Sequence, residues 1–465
     1  MLRPASVQLL FEITVCFCRH GRSNKTFFWY TISMQMVSVP RQDKEIFRRI
    51  FLEHWGDFKE HQPSYDCDQY EEPVQKMLNC GKESGGYCEY ICMNCGRDLR
   101  RVCFSCKSCF CLSCAKVYAD NMVSQVSKML HPGVIYRHCV LTVPEQLRQV
   151  FYENRHDGNL LSMFMRTGYQ CLEDVVSTVK RESLKIGAIM VVQTHGRSGR
   201  YNPHLHVIMT DGGIAADSKK WVSLGYFPYD MLHRKWQYHL LKLFSEFFGA
   251  KLKNLVGLLW KQYPEGFVAH VTKGKVPEKC KGLARYLAKY VASPPIAVSR
   301  IVEYDGDTVT YWYRDHKSKA KKVETIPVFT FIGRMVQHVL IKGFKRVRYY
   351  GVQAAKSFTK WCEVIRDGIR KIGKAIKGAY EIVYPKKYQE RYRDITGKDP
   401  FVCKYCGGKM ILWRIWHPKH GYIFDEEEQI KQDKYGVKKW FEERTGSTVW
   451  PPTRGIPLPL FPLSV

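Results

Sequence analysis

One short, cysteine-rich segment constrains the fold of this chain more than any other feature. Nine of the 18 cysteines lie within 35 residues: Cys80, Cys88, Cys92, Cys95, Cys103, Cys106, Cys109, Cys111 and Cys114. Three non-overlapping pairs among them have the Cys-x-x-Cys spacing, namely Cys92/Cys95, Cys103/Cys106 and Cys111/Cys114. Two thiolates at that spacing can chelate one Zn²⁺ ion in a tight turn. Because most other cysteines are isolated in a large chain, the pattern predicts a local zinc module in a reducing compartment rather than a disulfide scaffold.

The cysteine pattern leaves two alternatives open, the number of zinc ions and the role of the module. Nine sulfurs are enough for one or two tetrahedral sites, with Cys88, Cys103 and Cys109 as candidate bystanders. Either the module has only a structural role and stabilises the fold, or it also contacts a nucleic acid. Cations interleaved with the cysteines are compatible with both roles: Arg97, Arg100, Arg101 and Lys107.

The charge balance points to a polyanionic partner. The chain has 73 lysine and arginine residues against 44 aspartate and glutamate residues, a formal net charge of +29. Such a surface argues against an acidic metabolic enzyme and favours nucleic acid or an anionic membrane. No stretch approaches about 18 uninterrupted apolar residues, so a membrane-spanning protein is not expected. Nucleic acid is therefore the predicted partner.

A pair of histidines lies in a segment that alternates as a β-strand does. The sequence HLHVIMT at residues 204–210 places His204 and His206 on one face and apolar side chains on the other. The run IGAIMVVQT at residues 186–194 predicts a neighbouring strand, joined by a loop with Gly, Arg, Asn and Pro. Two imidazoles on one strand face can share a cation, but an isolated H-x-H is also typical of ordinary sheet histidines.

A pair of tyrosines lies on a predicted helix. In GLARYLAKYVASPP, residues 282–295, apolar side chains recur every fourth position and two prolines end the pattern. Tyr286 and Tyr290 are also four apart, so they lie on one stripe, one turn above the other. Tyrosines at this spacing often belong to a packed core. A tyrosine is also a competent covalent nucleophile.

Together these motifs resemble a known family. A cysteine module, then an H-x-H strand, a Tyr-x-x-x-Tyr helix and FIGRMVQHVLIKGFKRVRYYG at residues 331–351 follow one another. This order resembles the two-tyrosine HUH endonucleases, and among them the rolling-circle insertion-sequence transposases of bacteria with an N-terminal zinc-binding domain. The resemblance covers about residues 45–410. It implies an α+β fold, with an HUH endonuclease-like antiparallel sheet and flanking helices preceded by a small zinc module.

The resemblance also implies a reaction. Such enzymes nick and rejoin single-stranded DNA at the ends of a mobile element through 5′-phosphotyrosine links, which leave a free 3′-hydroxyl. The nucleophiles here would be Tyr286 and Tyr290, and His204 and His206 would hold a catalytic Mg²⁺ or Mn²⁺ ion. A third metal ligand is expected, and the candidates by position are Gln193, His195 and His270.

The zinc ligands are also implied by the resemblance. The family pattern falls on six cysteines: Cys80, Cys92, Cys95, Cys106, Cys111 and Cys114. Relatives often place a histidine between the first cysteine and the following Cys-x-x-Cys pair. This chain has Tyr87 and Cys88 there, and thus departs from the pattern.

The last third of the chain offers a DNA-binding segment and a second candidate knuckle. Cations alternate with aromatic side chains, which suits the phosphates and unstacked bases of single-stranded DNA, at Lys342, Lys345, Arg346 and Arg348. Downstream, basic residues surround an apolar stripe at helical spacing. The stripe consists of Ile365, Ile369, Ile372 and Ile376. The sequence CKYCGGKM suggests a knuckle whose ligands would be Cys403, Cys406, His417 and His420.

Five regions are predicted. They are a poorly defined N-terminal extension (1–41), a helix plus zinc-binding domain (42–134), a catalytic domain (135–352), a basic helical region (353–400), and a knuckle with a proline-rich tail (401–465). Two alternatives to a transposase remain: a replication initiator or relaxase with the same chemistry, and a non-catalytic zinc-dependent DNA-binding protein. The expected location is the bacterial cytoplasm, in association with the nucleoid.

Overall fold

A computed structural model of the chain describes residues 43, 45–271, 294–315, 318–371 and 384–427, together with the backbone of two N-terminal strands. The chain divides into two units, Met1–Lys44 and Glu45–Val465. In the first unit, β1 (Glu12–Cys18) and β2 (Phe27–Ser33) form an antiparallel pair. The second unit contains the other described elements.

Ten α-helices lie in the described part of the second unit. They are α1 (Ile46–His61), α2 (Asp68–Leu78), α3 (Ala115–Ser127), α4 (Glu145–Glu153), α5 (Gly158–Lys180), α6 (Tyr229–Phe248), α7 (Lys253–Gln262), α8 (Val328–Val336), α9 (Phe358–Lys371) and α10 (Tyr388–Thr396). Short 3₁₀ helices occur at Pro63–Tyr65, Glu83–Gly85, Gly249–Leu252, Val298–Arg300 and Ala355–Ser357. None of the described helices has the length and apolar character that a membrane span needs.

Thirteen strands lie in the same part of the chain. They are β3 (Tyr87–Cys92), β4 (Leu99–Cys103), β5 (Tyr136–Thr142), β6 (Leu184–His195), β7 (Tyr201–Ala215), β8 (Trp221–Ser223), β9 (Ala269–Val271), β10 (Ile301–Tyr304), β11 (Thr308–Arg314), β12 (Lys321–Pro327), β13 (Val347–Gly351), β14 (Met410–His417) and β15 (Gly421–Asp425).

A six-stranded sheet organises the middle of the chain. Its order is β13-β6-β7-β5-β9, with β8 paired to β7 outside this path, and all of its pairings are antiparallel. The long strands β6 and β7 contain the apolar run and the alternating segment that the sequence predicts as neighbouring strands. Helices flank this sheet, so the predicted α+β class with an antiparallel sheet is confirmed.

One face of the six-stranded sheet is largely apolar. Leu205, Val207 and Met209 of β7 are fully buried there. They pack in one cluster with side chains of α5 and α6, among them Phe164 and Trp236. The two helices therefore cover this face, hereafter the apolar face, and form the largest core of the described chain.

The opposite face, hereafter the histidine face, is covered in part by α3. Val126 of α3 packs on Ile189 and Ile208 of the sheet, and Met122 packs on Val191. Helix α3 begins immediately after Cys114, the last cysteine of the cysteine-rich segment. The predicted zinc module is thus continuous with the helix that lies on the histidine face.

A second core surrounds α1, the helix at the start of the predicted region 42–134, where the sequence IFRRIFLEHW has an apolar stripe at helical spacing. Phe47, Ile50, Phe51 and Trp55 are all buried, as that stripe requires. They pack with α2, with Phe331 of α8 and with the three-stranded sheet β10-β11-β12. This core also contains cysteines of the cysteine-rich segment, which it thereby holds against α1.

The third sheet joins parts of the chain that lie far apart in sequence. Its order is β15-β14-β3-β4, and Met410 of β14 lies opposite Cys92 of β3. The zinc module and the region 401–465 were predicted as separate elements. In the structure, β14 and β15 extend the sheet of the zinc module.

Candidate functional site

His204 and His206 converge on the histidine face. Because both lie on β7 two residues apart, their side chains point to the same side of the pleated sheet. Their Nε2 atoms are 3.1 Å apart. His206 is buried and His204 half-buried, so the two imidazoles meet at a small, largely dehydrated point.

Gln193 brings an oxygen to the same point. It lies on β6 directly opposite His204 in the antiparallel register. Its side-chain Oε1 is 3.1 Å from Nε2 of His206. Of the three positional candidates for a third ligand, the structure places Gln193 in contact with the pair. His195 packs its ring against His338 and also contributes to lowering the pKa of His206, and His270 lies exposed on β9.

The other ring nitrogens of the two histidines also have partners. Nδ1 of His204 is 2.8 Å from the backbone carbonyl of Asn202, so this nitrogen carries a proton and Nε2 presents a lone pair. Nδ1 of His206 is 3.0 Å from Nε2 of His138 on β5, and the two rings are stacked. His138 was not identified from the sequence. The signal for it is the alternation of YRHCVLT at residues 136–142, which puts one histidine on the polar face of a strand.

Burial keeps these imidazoles neutral. It lowers the pKa of His204 and, more strongly, that of His206, where the neighbouring histidines add to the effect. Burial also lowers the pKa of His138 to about 4, and His270 contributes. A neutral imidazole is the form that binds a metal ion.

The loop between β6 and β7 is fixed by the residues that follow α8. His338 is buried, and its two ring nitrogens lie 3.1 Å from Oγ1 of Thr194 and 2.8 Å from the carbonyl oxygen of Gly199. Gln337 donates a hydrogen bond to the same carbonyl. The QH pair of the segment at residues 331–351 therefore positions the loop that precedes the histidine strand.

The cysteine-rich segment supplies one complete group of four sulfurs. Cys80, Cys106, Cys111 and Cys114 have sulfur atoms within 4.8 Å of one another. The Sγ atoms of Cys80 and Cys114 are 3.4 Å apart. Hydrogen bonds from Cys106 and Cys111 lower the pKa of the Cys80 thiol to about 6, and thiolate is the form that binds zinc. Four convergent sulfurs without a disulfide fit a structural zinc site.

A second group of four sulfurs differs from the one predicted. Cys403 and Cys406 lie with Cys92 and Cys95, all four sulfurs within 4.8 Å, instead of with His417 and His420. Those two histidines stack on each other at the turn between β14 and β15.

The six cysteines assigned by the family pattern therefore divide between two groups. Cys88, Cys103 and Cys109 lie outside both groups.

In the second group, burial acts to raise the pKa of the Cys403 thiol. Hydrogen bonds from the backbone N–H groups of Cys406 and Tyr405 outweigh this effect and bring the pKa to about 7.

The four predicted DNA-binding cations do not share one surface. Lys345 and Arg346 line a cavity of about 510 Å³ that His195, Tyr349 and Cys109 also border. Lys342 is exposed and forms an ion pair of 3.0 Å with Glu72. Arg348 donates a hydrogen bond to Ser162 and lies over the ring of Phe344. Two of the four cations thus lie beside the C-terminal end of β6. Gln193 belongs to that part of the strand.

Tyr286 and Tyr290 fall outside the residues that the structure describes. The described residues that flank them are Val271 at the end of β9 and Pro294 on the wall of the cavity. Ile372 and Ile376 of the basic stripe are also outside the described residues. The other two members of that stripe, Ile365 and Ile369, are buried against Trp221 and Val352.

Comparison with protein families places both functional segments in known models. Residues 187–360 match a family model described as "Putative transposase", and this range contains both histidines and both tyrosines. Residues 50–143 match one described as "Transposase zinc-binding domain", which contains the first group of four sulfurs. This chain belongs to the insertion-sequence transposases that carry an N-terminal zinc-binding domain. The resemblance recognised from the sequence is thereby confirmed.

Individual relatives agree over most of the transposase. It is 28% identical over 398 residues to "Transposase for insertion sequence element IS801" of Pseudomonas savastanoi pv. phaseolicola, covering 82% of this chain and 91% of the relative. It is 27% identical over 353 residues to "Putative transposase y4qJ" of Sinorhizobium fredii, covering 71% of this chain and 85% of that protein. No solved structure matches the chain significantly.

Proposed function

We propose that this transposase nicks and rejoins single-stranded DNA through 5′-phosphotyrosine intermediates at the ends of its element. The observation that carries the proposal is the convergence of His204, His206 and Gln193 on one point of the histidine face. A DNA-binding protein without catalytic activity has no need for two neutral imidazoles and an amide oxygen at hydrogen-bonding distance. A catalytic centre for phosphodiester cleavage needs these groups.

The donor set fits one divalent cation. Nε2 of His204 presents a lone pair because the Asn202 carbonyl holds the proton on Nδ1. Two imidazole nitrogens and one amide oxygen suit Mn²⁺ better than Mg²⁺, since Mg²⁺ prefers oxygen ligands. When bound, the ion would polarise the scissile phosphate and offset the charge that develops on it. His138, in contact with Nδ1 of His206, would orient that ring.

In the proposed reaction Tyr286 or Tyr290 attacks the phosphorus atom of the scissile phosphodiester. The new bond joins the tyrosine oxygen to phosphorus, the bond from phosphorus to the 3′-oxygen breaks, and that oxygen takes a proton. The phosphotyrosine link retains the energy of the broken bond. A 3′-hydroxyl can therefore attack it and reseal a strand without a nucleotide cofactor. Two nucleophiles would allow one strand to be held while a second is cut.

The cavity beside β6 supports a path for single-stranded DNA. Lys345 and Arg346 provide cations for phosphates, and Tyr349 provides an aromatic side chain for unstacked bases. Cys109, from the zinc module, borders the same cavity. We therefore assign the module a structural zinc ion and a place beside the DNA. A protein with this substrate and a net charge of +29 would be found with the bacterial nucleoid.

A covalent adduct tests the proposal. Purified protein is incubated with Mn²⁺ and oligonucleotides tiled across the ends of its element, labelled at either the 3′ or the 5′ end, and separated on a denaturing gel. A 5′-phosphotyrosine link predicts that the 3′ label moves with the protein. The 5′ label should appear on a shorter strand that a polymerase can extend, because it ends in a 3′-hydroxyl.

Tyr286→Phe together with Tyr290→Phe should abolish this adduct completely while single-stranded DNA binding persists. Each single variant should retain some nicking in vitro and lose much of its transposition in cells. Tyr226→Phe with Tyr238→Phe, at two exposed tyrosines, is the matched control and should leave the adduct unchanged. An adduct formed by the first double variant would place the nucleophile elsewhere. A replication initiator or relaxase would form the same adduct but would not move the element in cells.

A further inference from the structure

We propose that Cys92, Cys95, Cys403 and Cys406 bind one Zn²⁺ ion that joins the C-terminal segment to the N-terminal zinc module. Cys92 and Cys95 lie within the range matched by the zinc-binding family model, whereas Cys403 and Cys406 lie about 260 residues beyond its end. The site therefore closes the chain around the intervening catalytic region. It is separate from the group formed by Cys80, Cys106, Cys111 and Cys114.

The two halves of the site have the same local design. Each is a Cys-x-x-Cys-Gly turn, with the glycine in the left-handed region at Gly96 (φ 65°) and Gly407 (φ 72°). In each turn the glycine N–H donates to the carbonyl of the first cysteine, at 2.9 Å for Cys92 and 3.0 Å for Cys403. A positive φ after the second cysteine folds the chain back and turns both sulfurs to one side. Two identical knuckles facing each other are how proteins build a tetrahedral Cys₄ site.

The distances between sulfur atoms match such a tetrahedron. A Zn–S bond of about 2.3 Å in tetrahedral geometry puts sulfur atoms about 3.8 Å apart. The Sγ atoms of Cys92 and Cys95 are 3.8 Å apart, those of Cys95 and Cys403 are 3.6 Å apart, and those of Cys92 and Cys406 are 3.5 Å apart. These separations exceed by more than 1 Å the roughly 2.05 Å of a disulfide. The geometry is that of four sulfurs around a central ion.

The protein around the sulfurs holds the two knuckles together. Asp98 is buried and accepts a hydrogen bond of 2.9 Å from the backbone N–H of Lys404, so the N-terminal half positions the C-terminal turn. Arg100 donates to the carbonyl of Pro400. The rings of Tyr90 and Phe401 pack with centroids 4.5 Å apart. Together with the pairing of β3 and β14, these contacts hold the two regions together around the four sulfurs.

The alternative ligands are too far away along the same strand. Met410 of β14 lies opposite Cys92, whereas His417 is the last residue of β14. At about 3.3 Å per residue, seven residues of strand put His417 more than about 20 Å from the register of Cys92. A Cys₂His₂ site with His417 and His420 would require β14 to leave the sheet.

As a consequence, the zinc site can be completed only after the C-terminal segment has been synthesised. The ion can be fully coordinated only after residues 403–406 have been made, so a chain shortened before them would keep an incomplete half-site at Cys92 and Cys95. Tying together segments this distant also removes much of the freedom of the unfolded chain, since closing a long loop has a large entropic effect. The C-terminal region is then part of the zinc module rather than an independent tail.

Zinc stoichiometry tests the site without reference to DNA cleavage. The purified full-length protein should contain two zinc ions per chain by mass spectrometry of the metal. Cys403→Ser with Cys406→Ser should lower this to one, and so should Cys92→Ser with Cys95→Ser. All four substitutions together should also leave one, because both pairs bind the same ion. His417→Ala with His420→Ala is the matched control and should retain two.

Hydrogen exchange adds a readout that isolated knuckles would not produce. In the full-length Cys403→Ser/Cys406→Ser protein, amides of β3 at residues 87–92 should exchange at least about tenfold faster. The reciprocal Cys92→Ser/Cys95→Ser protein should show the same increase in β14. Exchange on α5, far from the third sheet, should not change. Should the variants prove insoluble, cobalt substitution of the wild type decides, with two thiolate–cobalt sites per chain expected.

Three results would overturn the inference. One zinc or one cobalt site per wild-type chain would leave the second group of sulfurs without an ion. Loss of zinc in the His417→Ala/His420→Ala protein would restore the Cys₂His₂ alternative. Three zinc ions per wild-type chain, with one lost for each cysteine pair that is replaced, would show that each pair belongs to a separate site. None of these results bears on the tyrosine chemistry, which the adduct assay tests independently.

Discussion

The two faces of the six-stranded sheet use the same strands for different purposes. On β7, Leu205, Val207 and Met209 enter the apolar face, while the intervening His204 and His206 enter the histidine face. Both sets are largely buried. The apolar set needs only close packing, whereas every buried imidazole nitrogen needs a partner. Residues that stabilise the core and residues of the proposed site therefore alternate along one strand with a period of two.

This difference explains why the helices over the two faces differ. The long helices α5 and α6 lie over the apolar face and bury it in one continuous cluster. The shorter α3 covers only part of the histidine face, where its contacts end at Val191 and Ile208. Beyond them His195, at the end of β6, borders a cavity. A fully covered histidine face could not admit the DNA that we propose as the substrate.

Removing both histidines should have the largest effect on activity. His204→Ala with His206→Ala takes away two of the three proposed metal ligands, and we expect cleavage to fall by on the order of 10³ or more. DNA affinity should stay nearly unchanged, because it comes mainly from Lys and Arg contacts with phosphates. Gel assays of cleavage and fluorescence anisotropy of binding measure the two quantities.

The matched control for this variant is His417→Ala with His420→Ala, a histidine pair at an exposed turn. It should cleave as the wild type does. Cleavage by the His204→Ala/His206→Ala protein would contradict the assignment of these histidines as metal ligands. Equal loss of binding would mean that the sheet, and not only its chemistry, had been damaged.

The opposite face should respond in stability and not in chemistry. Leu205 is fully buried and lies opposite Leu141, so Leu205→Ala should lower the free energy of unfolding by about 2–5 kcal/mol. Leu52→Ala, at a leucine that is 61% exposed, should change it by less than about 0.5 kcal/mol. Urea unfolding measures both. At temperatures where Leu205→Ala is folded, its affinity for Mn²⁺ should match the wild type, and a large loss would contradict the separation of the two faces.

Local patterns were sufficient to predict this alternation. The period of two in HLHVIMT indicated both the strand and the face of each side chain, and a period near four indicated α1 with its buried Phe47 and Trp55. Contacts between distant segments were not accessible in this way. Gln193 was one of three candidates because the register between β6 and β7 depends on the loop joining them. The pairing of Cys92 with Cys406 spans 314 positions, and no local spacing encodes it.

Replacing the third proposed ligand should have an intermediate effect. Gln193→Ala leaves both histidines but removes the oxygen 3.1 Å from His206, and we expect Mn²⁺ affinity to fall by about 10–100-fold. Raising the Mn²⁺ concentration should then restore much of the cleavage. Gln193→Glu keeps an oxygen at the same position and should bind Mn²⁺ at least as well as the wild type. Gln149→Ala on α4 is the control, and isothermal titration calorimetry measures the affinities.

The smallest effect is expected at His138, which contacts His206 of the proposed metal site. Its Nε2 lies 3.0 Å from Nδ1 of His206, so it holds the ring that we propose as a ligand. His138→Ala should weaken Mn²⁺ binding by about tenfold, since partners of metal-binding histidines orient them. His138→Gln, whose amide nitrogen can occupy the place of Nε2, should recover part of that loss. A role in packing alone predicts instead that both variants lower stability and leave the Mn²⁺ affinity of the folded protein unchanged.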